Sequence, residues 1–175
     1  AWRDLATAWT REGRLEPATA ARERVVALAP RDADAWRALA LLNQRRERFD
    51  EAAQAFERAL AIRRDDPASL RDLGWIRWSQ GKRDAAVERL AAAVLGGVDN
   101  RERVISQVVA GLAETGAGDQ ALAFLSKVNP QEPPSVQGLA LARAGRLRAA
   151  EPILASAWQT GDHAPDVGLH LAYVR

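Results

Sequence analysis

The chain has 175 residues, of which 47% are hydrophobic and 27% are charged, an ordinary composition for a folded globular protein. It contains no cysteine, which excludes disulfides, thiolate metal sites and cysteine nucleophiles. The formal net charge is only +2, although 23 of the 25 basic residues are arginine, so the charge does not by itself indicate nucleic-acid binding.

Large and small residues recur along the first half of the chain at a fixed interval of about 34 residues, which we call the repeat interval. Within each interval they have the spacing of two short amphipathic helices folded back on each other. Each such hairpin leaves an apolar face uncovered, so neighbouring hairpins must stack. The three matching sets are Trp2, Leu5, Ala6, Leu15, Ala18 and Val25; Trp36, Leu39, Ala40, Phe49, Ala52, Phe56 and Ala59; and Leu70, Leu73, Gly74, Ala86, Leu90 and Ala93.

The two helices of the first repeat have clear end signals. A helix over about residues 1–12 is predicted to end before Gly13, because glycine tolerates the left-handed conformation that closes many helices. Its partner is predicted to continue to about Ala29, where Pro30 ends it.

Aspartates mark the start of the second and third repeats. Asp32 can cap a helix that runs to about Arg46. Asp66 followed by Pro67 gives an acidic cap with proline at the first helical position. The other helices of these two repeats are predicted over about 49–62, 70–80 and 83–95.

The fourth repeat follows the pattern with a slip. Asp99 and Asn100 offer caps for its first helix. Its second helix carries Ala121 and Leu125 one position later than the repeat interval requires, and a glycine-rich loop before them can absorb the insertion.

The fifth repeat is more degraded. Pro152 restricts its second helix, because proline in a helix interior costs roughly 3 kcal/mol, so we expect this helix to begin no earlier than about Arg148. Because the chain opens inside the helical pattern and has no methionine, we expect it to be part of a longer protein. We predict one domain over 1–175, with repeats at about 1–32, 33–66, 67–98, 99–130 and 131–161 and a final helix at 163–175.

The repeat resembles the tetratricopeptide repeat, whose unit is also about 34 residues long. The resemblance implies an all-α, right-handed solenoid of helix-turn-helix units. Three departures from the family pattern stand out: Arg22 replaces a usual aromatic residue, and Asn43 and Arg77 replace a tyrosine. The residues that carry the resemblance are Trp2, Leu5, Ala6, Trp9, Ala18 and Pro30; Trp36, Leu39, Ala40, Ala52, Phe56 and Ala59; and Leu70, Leu73, Gly74, Ala86 and Ala93.

The resemblance also implies a concave groove lined by the first helix of each repeat. In the fourth repeat it places Ile105, Val109 and Leu112 in this groove. In the first three repeats the implied groove residues are Arg3, Thr7, Arg11, Arg37, Leu41, Gln44, Arg45, Arg71, Trp75 and Trp78.

Arginines recur within this groove set at the repeat interval. Arg3, Arg37 and Arg71 form one column, and guanidinium groups at fixed spacing suit the carboxylates of an extended acidic peptide. The alternative is that these arginines are solvated and paired with acidic neighbours, for which the sequence offers Asp4, Asp34 and Asp72.

The tryptophans divide between packing and binding. The resemblance places Trp2, Trp9 and Trp36 in the core, and we expect Trp158 there as well. Trp75 and Trp78 fit either the core or the groove, where they would serve as an apolar anchor.

These observations favour a scaffold that binds a protein or peptide partner, and the arginine column suits an acidic one. One alternative is the periplasmic repeat domain of a bacterial exopolysaccharide export protein, which sequence upstream and downstream in the parent gene would reveal. A third hypothesis, polyanion or nucleic-acid binding, is disfavoured by the net charge of +2. Membrane contact would come only through other parts of the parent chain.

No catalytic motif is evident. The sequence has no glycine-rich phosphate loop after a strand, no serine elbow and no plausible carboxylate pair, so we predict that the chain is not an enzyme and has no cofactor. His163 and His170 are its only histidines, and their spacing on one helix is too long for one metal ion, so no metal site is predicted.

Overall fold

The computed structural model describes residues 1–131, 133–143 and 147–161, and these ranges contain helices and no strands, which confirms the all-α prediction. The predicted final helix, with His163 and His170, lies outside the described residues. The helices are α1 Trp2–Arg11, α2 Leu15–Leu28, α3 Ala33–Arg45, α4 Phe49–Ile62, α5 Pro67–Ser79, α6 Arg83–Leu95, α7 Arg101–Glu114, α8 Gly118–Val128, α9 Pro134–Arg143 and α10 Leu147–Gln159.

The chain forms two compact units, Ala1–Val98 and Asp99–Arg175. The first unit contains α1 to α6, and each of these helices packs against the next one in the chain. This sequential packing is the stacking of helix hairpins that the repeat interval predicts. The division of the whole chain into one domain stays a prediction.

In two of the hairpins, close packing depends on a glycine that faces a leucine. Gly74 of α5 lies so close to α6 that a Cβ at this position would be 2.7 Å from Leu90 Cγ. In the second unit, a Cβ at Gly138 of α9 would be 2.7 Å from Leu154 Cδ2. Both pairs have the same separation along the chain, which identifies one contact shared by hairpins of both units. The equivalent pairs in the other hairpins are Ala6 and Arg22, Ala40 and Phe56, and Val108 and Phe124.

The predicted helix caps form at the second and third repeats. Asp32 accepts a hydrogen bond from the Ala35 N–H at 3.0 Å, and Asp66 accepts one from the Ser69 N–H at 2.9 Å. Asn100 occupies the cap position of α7, but its side chain makes no cap hydrogen bond. Its backbone is left-handed, with φ 60° and ψ 36°, rather than extended as in a capping residue, so this predicted side-chain cap is wrong.

The second unit packs its helices in a different order. Its last described helix, α10, contacts α7, α8 and α9, whereas α8 and α9 make few contacts with each other. Pro152 is the sixth residue of α10, beyond the first turn, so the expected start at about Arg148 is one residue late and the proline is interior. Its ring lies against α8, where a Cβ at Gly118 would be 2.9 Å from Pro152 Cβ. Packing on a neighbouring glycine therefore accompanies a proline that the helix itself disfavours.

Two tryptophans are not in the core. Trp2 is 45% exposed and Trp158 is 44% exposed, so the prediction of a core position is wrong for both. Trp2 lies on α1, which packs on α2. Trp36 is partly buried, and its indole N–H donates to the Pro30 carbonyl oxygen at 2.9 Å.

Within the described ranges, no helix combines the length and the apolar character needed to cross a bilayer.

Candidate functional site

The residues implied to line the groove of the first three repeats lie on α1, α3 and α5, and we call this set the leading-helix face. None of its ten members is buried: each side chain is exposed or partly buried. By contrast, Ile105, Val109 and Leu112 are at most 2% exposed, so their predicted place in an open groove is wrong. These three aliphatic side chains belong to α7, which contacts both α8 and α10. The leading-helix face consists of Arg3, Thr7, Arg11, Arg37, Leu41, Gln44, Arg45, Arg71, Trp75 and Trp78.

The arginine column of this face is already occupied by aspartates of the same chain. Arg3 forms an ion pair with Asp32. Arg71 donates through Nε to Asp72 at 2.8 Å. The pairing of Arg71 with Asp72 is the one that the solvated alternative named.

Arg37, like Arg3, forms an ion pair with an aspartate of the next repeat. Its Nε lies 3.8 Å from Asp66 Oδ2, and this nitrogen is buried without a hydrogen-bond partner among the described residues. Asp32 and Asp66 are one repeat interval apart, and each caps the leading helix of the next repeat. Each of these aspartates thus accepts a hydrogen bond from a backbone N–H of its own helix. It also forms an ion pair with the arginine of the preceding repeat. The two ion pairs hold neighbouring repeats in register.

A second set of contacts joins successive repeats at the other end of the leading helices. Arg46 lies 3.4 Å from Glu16, and Gln80 donates to Asp50 at 2.8 Å. Both members of the second pair follow those of the first by one repeat interval. These contacts were not foreseen from the sequence, although complementary groups that keep one separation and recur at the repeat interval are a usable signal.

Arg77 shows why a family tyrosine can be replaced by arginine in this chain. Its guanidinium pairs with Glu57 of the preceding repeat and donates to Gln80 at 2.8 Å. The side chain is only 18% exposed, so a charged group is accommodated because it has an acidic partner.

A further ion pair lies at the start of α3. Both terminal nitrogens of Arg63 donate to Asp34, at 3.0 and 3.2 Å. These hydrogen bonds, followed by the charge of Arg63 and by smaller contributions from Arg37 and Arg3, hold the pKa of Asp34 below its usual value. The same contacts raise the pKa of Arg63. Asp34 is therefore not available as the partner of the arginine column that the sequence suggested.

Arg22 is the remaining arginine of this region, and no carboxylate among the described residues is hydrogen-bonded to it. It is partly buried on α2, and its Nη2 donates to Thr7 Oγ1 at 3.2 Å. Burial lowers the pKa of Arg22, the nearby charge of Arg3 lowers it further, and the charge of Asp32 opposes both effects. The guanidinium nevertheless stays charged at neutral pH.

Two arginines of the leading-helix face have no aspartate partner among the described residues, unlike the column of Arg3, Arg37 and Arg71. Arg11 and Arg45 are exposed, and neither has an ion pair or hydrogen bond with any residue that the structure describes. They are one repeat interval apart in the last turns of α1 and α3, so they form the second row that the sequence predicts.

The third repeat contributes an aromatic surface. The rings of Trp75 and Trp78 are 5.8 Å apart and inclined by 63°, an edge-to-face contact. The Arg83 guanidinium lies over the Trp78 ring at 4.3 Å, a cation–π distance. Together with Leu41, which is 36% exposed, these rings give the face an apolar part.

A cation-binding cluster is not evident in the described part of the chain, where no three His, Cys, Asp or Glu side chains come together.

Comparison with known proteins identifies the repeat. Residues 45–106 match the tetratricopeptide repeat family model. No curated protein matches the chain in sequence.

Several solved structures share the fold. MamA is 14% identical with a TM-score of 0.64, and the match covers 90% of this chain and 97% of that one. YrrB, a tetratricopeptide repeat protein with an unusual peptide-binding site, is 22% identical with a TM-score of 0.62, over 98% and 90%. PilF of Pseudomonas aeruginosa is 21% identical with a TM-score of 0.60, over 99% and 82%. At these identities the likeness concerns the fold alone. Together with the family match, it confirms the resemblance predicted from the repeat interval: residues 45–106 match the tetratricopeptide repeat, and the chain shares the helical-repeat fold of these solved structures.

Proposed function

We propose that the first three repeats bind an extended peptide segment of a partner protein along the leading-helix face. The observation that carries the proposal is the exposure of this face: an aromatic pair, an aliphatic side chain and two arginines unpaired among the described residues are all accessible on α1, α3 and α5. Tetratricopeptide repeats are in general interaction scaffolds, and one structural neighbour, YrrB, has a peptide-binding site. The proposal is of a binding module and not of an enzyme.

The bound peptide, which we call the guest, is expected to have an apolar residue at one position and an acidic residue at another. Trp75, Trp78 and Leu41 offer contact area of the kind that anchors peptides in grooves. Arg11 and Arg45 offer guanidinium groups that no aspartate of the chain neutralises among the described residues. An extended polymer bound along the Arg3, Arg37 and Arg71 column receives less support, since each of these groups has an aspartate partner.

The test is isothermal titration of twelve-residue peptide libraries, acidic and basic, against the wild-type chain and two tryptophan variants. Trp75→Ala is expected to weaken binding of the best acidic peptide about tenfold or more, as expected for loss of an aromatic anchor. Trp158→Ala is the matched control, because Trp158 is an exposed tryptophan of α10 and is not a member of the leading-helix face. Equal loss in both variants, or tighter binding of basic peptides, would reject the proposal.

The export hypothesis depends on sequence outside this chain and stays a prediction. The polyanion hypothesis predicts affinity that falls steeply with salt, which the same titrations repeated at two salt concentrations would reveal.

A further inference from the structure

Arg22 is the exception at a position that is otherwise apolar. The five hairpins place Arg22, Phe56, Leu90, Phe124 and Leu154 at the same point of their second helix, each at one separation from the facing residue of the first helix. The four apolar members are at most 2% exposed, whereas Arg22 is partly exposed. A hydrophobic residue at this position would fill the hairpin interior, so an arginine here does not serve the packing that the other hairpins use.

Arg22 has no carboxylate of its own among the described residues. The charges that act on it are those of Arg3 and Asp32, which form an ion pair with each other. The guanidinium of Arg22 is therefore one surplus positive charge beside this pair.

The hydrogen bonds of Arg22 are also incomplete. Its single hydrogen bond within the described ranges goes to the hydroxyl of Thr7, at 3.2 Å. Thr7 Oγ1 in turn donates to the Arg3 carbonyl oxygen at 2.8 Å, so the hydroxyl is held by α1. A guanidinium has five N–H donors, and a partly desolvated one gains most from a carboxylate that accepts two of them.

The position of Arg22 connects it to the leading-helix face. Its partner Thr7 is a member of that face, and Arg3, another member, is close enough to lower the pKa of Arg22. The guanidinium therefore reaches from α2 to the surface formed by α1, although it was not among the groove residues implied by the family resemblance.

We infer that Arg22, oriented by Thr7 and next to the Arg3–Asp32 pair, is the binding site for one carboxylate of the bound peptide. We call this site the carboxylate seat, or the Arg22 seat. This inference rests on the proposed function and identifies Arg22 as the residue that recognises the acidic group of the bound peptide. A single carboxylate neutralises the one surplus charge. Arg37 and Arg71 are held by Asp66 and Asp72, so the arginine column is not a row of equivalent receptors.

The seat also restricts the guest's sequence. The Arg22 seat belongs to the first repeat and the Trp75–Trp78 pair to the third. If each step from one leading helix to the next is taken as the usual spacing of packed helices, roughly 8–10 Å, two steps span about 16–20 Å. An extended peptide rises about 3.3 Å per residue, which places the guest's acidic residue about five or six residues from its bulky apolar residue.

The test uses two pools of twelve-residue peptides as probes. Each peptide contains one tryptophan in a neutral serine and alanine background; in one pool a glutamate stands five or six residues away, and in the other a glutamine replaces it. Fluorescence polarisation measures the affinity of both pools for the wild-type chain, Arg22→Gln and Arg24→Gln. Arg24 is the matched control, since it is exposed on the same helix and its replacement changes the net charge equally.

The glutamate pool is expected to bind the wild type and Arg24→Gln about tenfold more tightly than the glutamine pool, a difference of about 1.4 kcal/mol. In Arg22→Gln the two pools are expected to bind equally. Arg22→Leu should give the same result and retain the fold, because leucine occupies this position in two other hairpins.

Three other results would overturn the inference. If both pools bind the wild type equally, or if Arg22→Gln and Arg24→Gln behave alike, the carboxylate seat is rejected while peptide binding by the face stands. If neither pool binds, the seat and the proposed function are rejected together.

Discussion

The two compact units of this chain use the same hairpin but stack it differently. In the first unit each helix packs against the next, whereas in the second α10 contacts α7 and α8 as well as its own partner α9. The glycine contact inside the hairpin is the same in both, as Gly74 with Leu90 and Gly138 with Leu154 show. Close packing within a hairpin therefore does not by itself determine how hairpins pack against each other.

The first unit has a set of polar contacts between its repeats. Arg3 with Asp32 and Arg37 with Asp66 recur at the repeat interval, and the aspartates also cap the leading helices. At the corresponding place in α7 the chain has Asn100, which has no charge and makes no cap hydrogen bond. We interpret these paired charges as the determinants of regular stacking in the first three repeats.

The largest expected effects come from the buried leucines of the two hairpins. Leu90→Ala and Leu154→Ala each remove a side chain that is 0% exposed, and each is expected to cost about 2–5 kcal/mol in free energy of unfolding. If each unit unfolds cooperatively by itself, hydrogen exchange should increase in α1 to α6 for the first variant and in α7 to α10 for the second. A uniform increase across all described helices in both variants would contradict the division into two units.

A smaller effect is expected from adding a methyl group at the shared hairpin contact. Gly74→Ala and Gly138→Ala each place a Cβ 2.7 Å from a leucine atom. Overpacking costs about 1–3 kcal/mol and the gain in helix propensity recovers about 1, so a net loss of up to about 2 kcal/mol is expected in urea denaturation.

The control for the added methyl group is a second substitution that makes room for it. Shortening the facing side chain in Gly74→Ala/Leu90→Val should recover part of the loss, because the two sites are in contact. Strict additivity of the two substitutions would show that the contact is not tight.

Substitutions at the helix caps are expected to affect the two units differently. Asp66→Ala is expected to lower the free energy of unfolding by about 1 kcal/mol, because Asp66 accepts the Ser69 N–H and pairs with Arg37. Asn100→Gly is the comparison in the second unit and is expected to change it little, since Asn100 makes no cap hydrogen bond and glycine tolerates its left-handed backbone. Thermal denaturation of both variants decides, and an equal loss would contradict the role given to the paired aspartates.

The smallest effect concerns the exposed pair of Asp34 and Arg63. The pKa of Asp34 is lowered in the folded state, so the stabilisation is present above its unfolded value of about 3.9 and is lost as the pH falls through the folded value. Asp34→Asn should therefore have a slightly lower Tm than the wild type at pH 6, and the difference should shrink as the pH falls below the unfolded value. Solvent and salt weaken such pairs, so the difference is expected to be small. A difference that does not change with pH would contradict this assignment.

Much of the helix pattern could be predicted from the sequence, because caps and breakers are local signals. The helices Phe49–Ile62 and Arg83–Leu95 have the predicted bounds, and Asp32 caps its helix as expected. The interior position of Pro152 could not be predicted, because it depends on α8 offering Gly118 as a neighbour. Local propensity yields to tertiary packing in such cases.

The candidate site was less predictable than the fold. Periodicity places Arg3 and Arg37 on the leading-helix face, but it does not show that Asp32 and Asp66 of the next repeat occupy them. The family resemblance placed Ile105 in the groove, whereas the structure buries it. Helical spacing fixes which side of a helix a residue occupies, and only the neighbouring elements determine what covers that side.

The most direct measurement is a titration of the ¹⁵N-labelled chain with the glutamate-containing peptide pool, followed by two-dimensional NMR. The account predicts that the shifted amide signals belong to α1, α3 and α5, with the largest changes near Thr7, Leu41 and Trp75, while the signals of α7 to α10 stay in place. Shifts concentrated in α7 to α10, or none at saturating peptide, would contradict the claim that the leading-helix face is the binding surface.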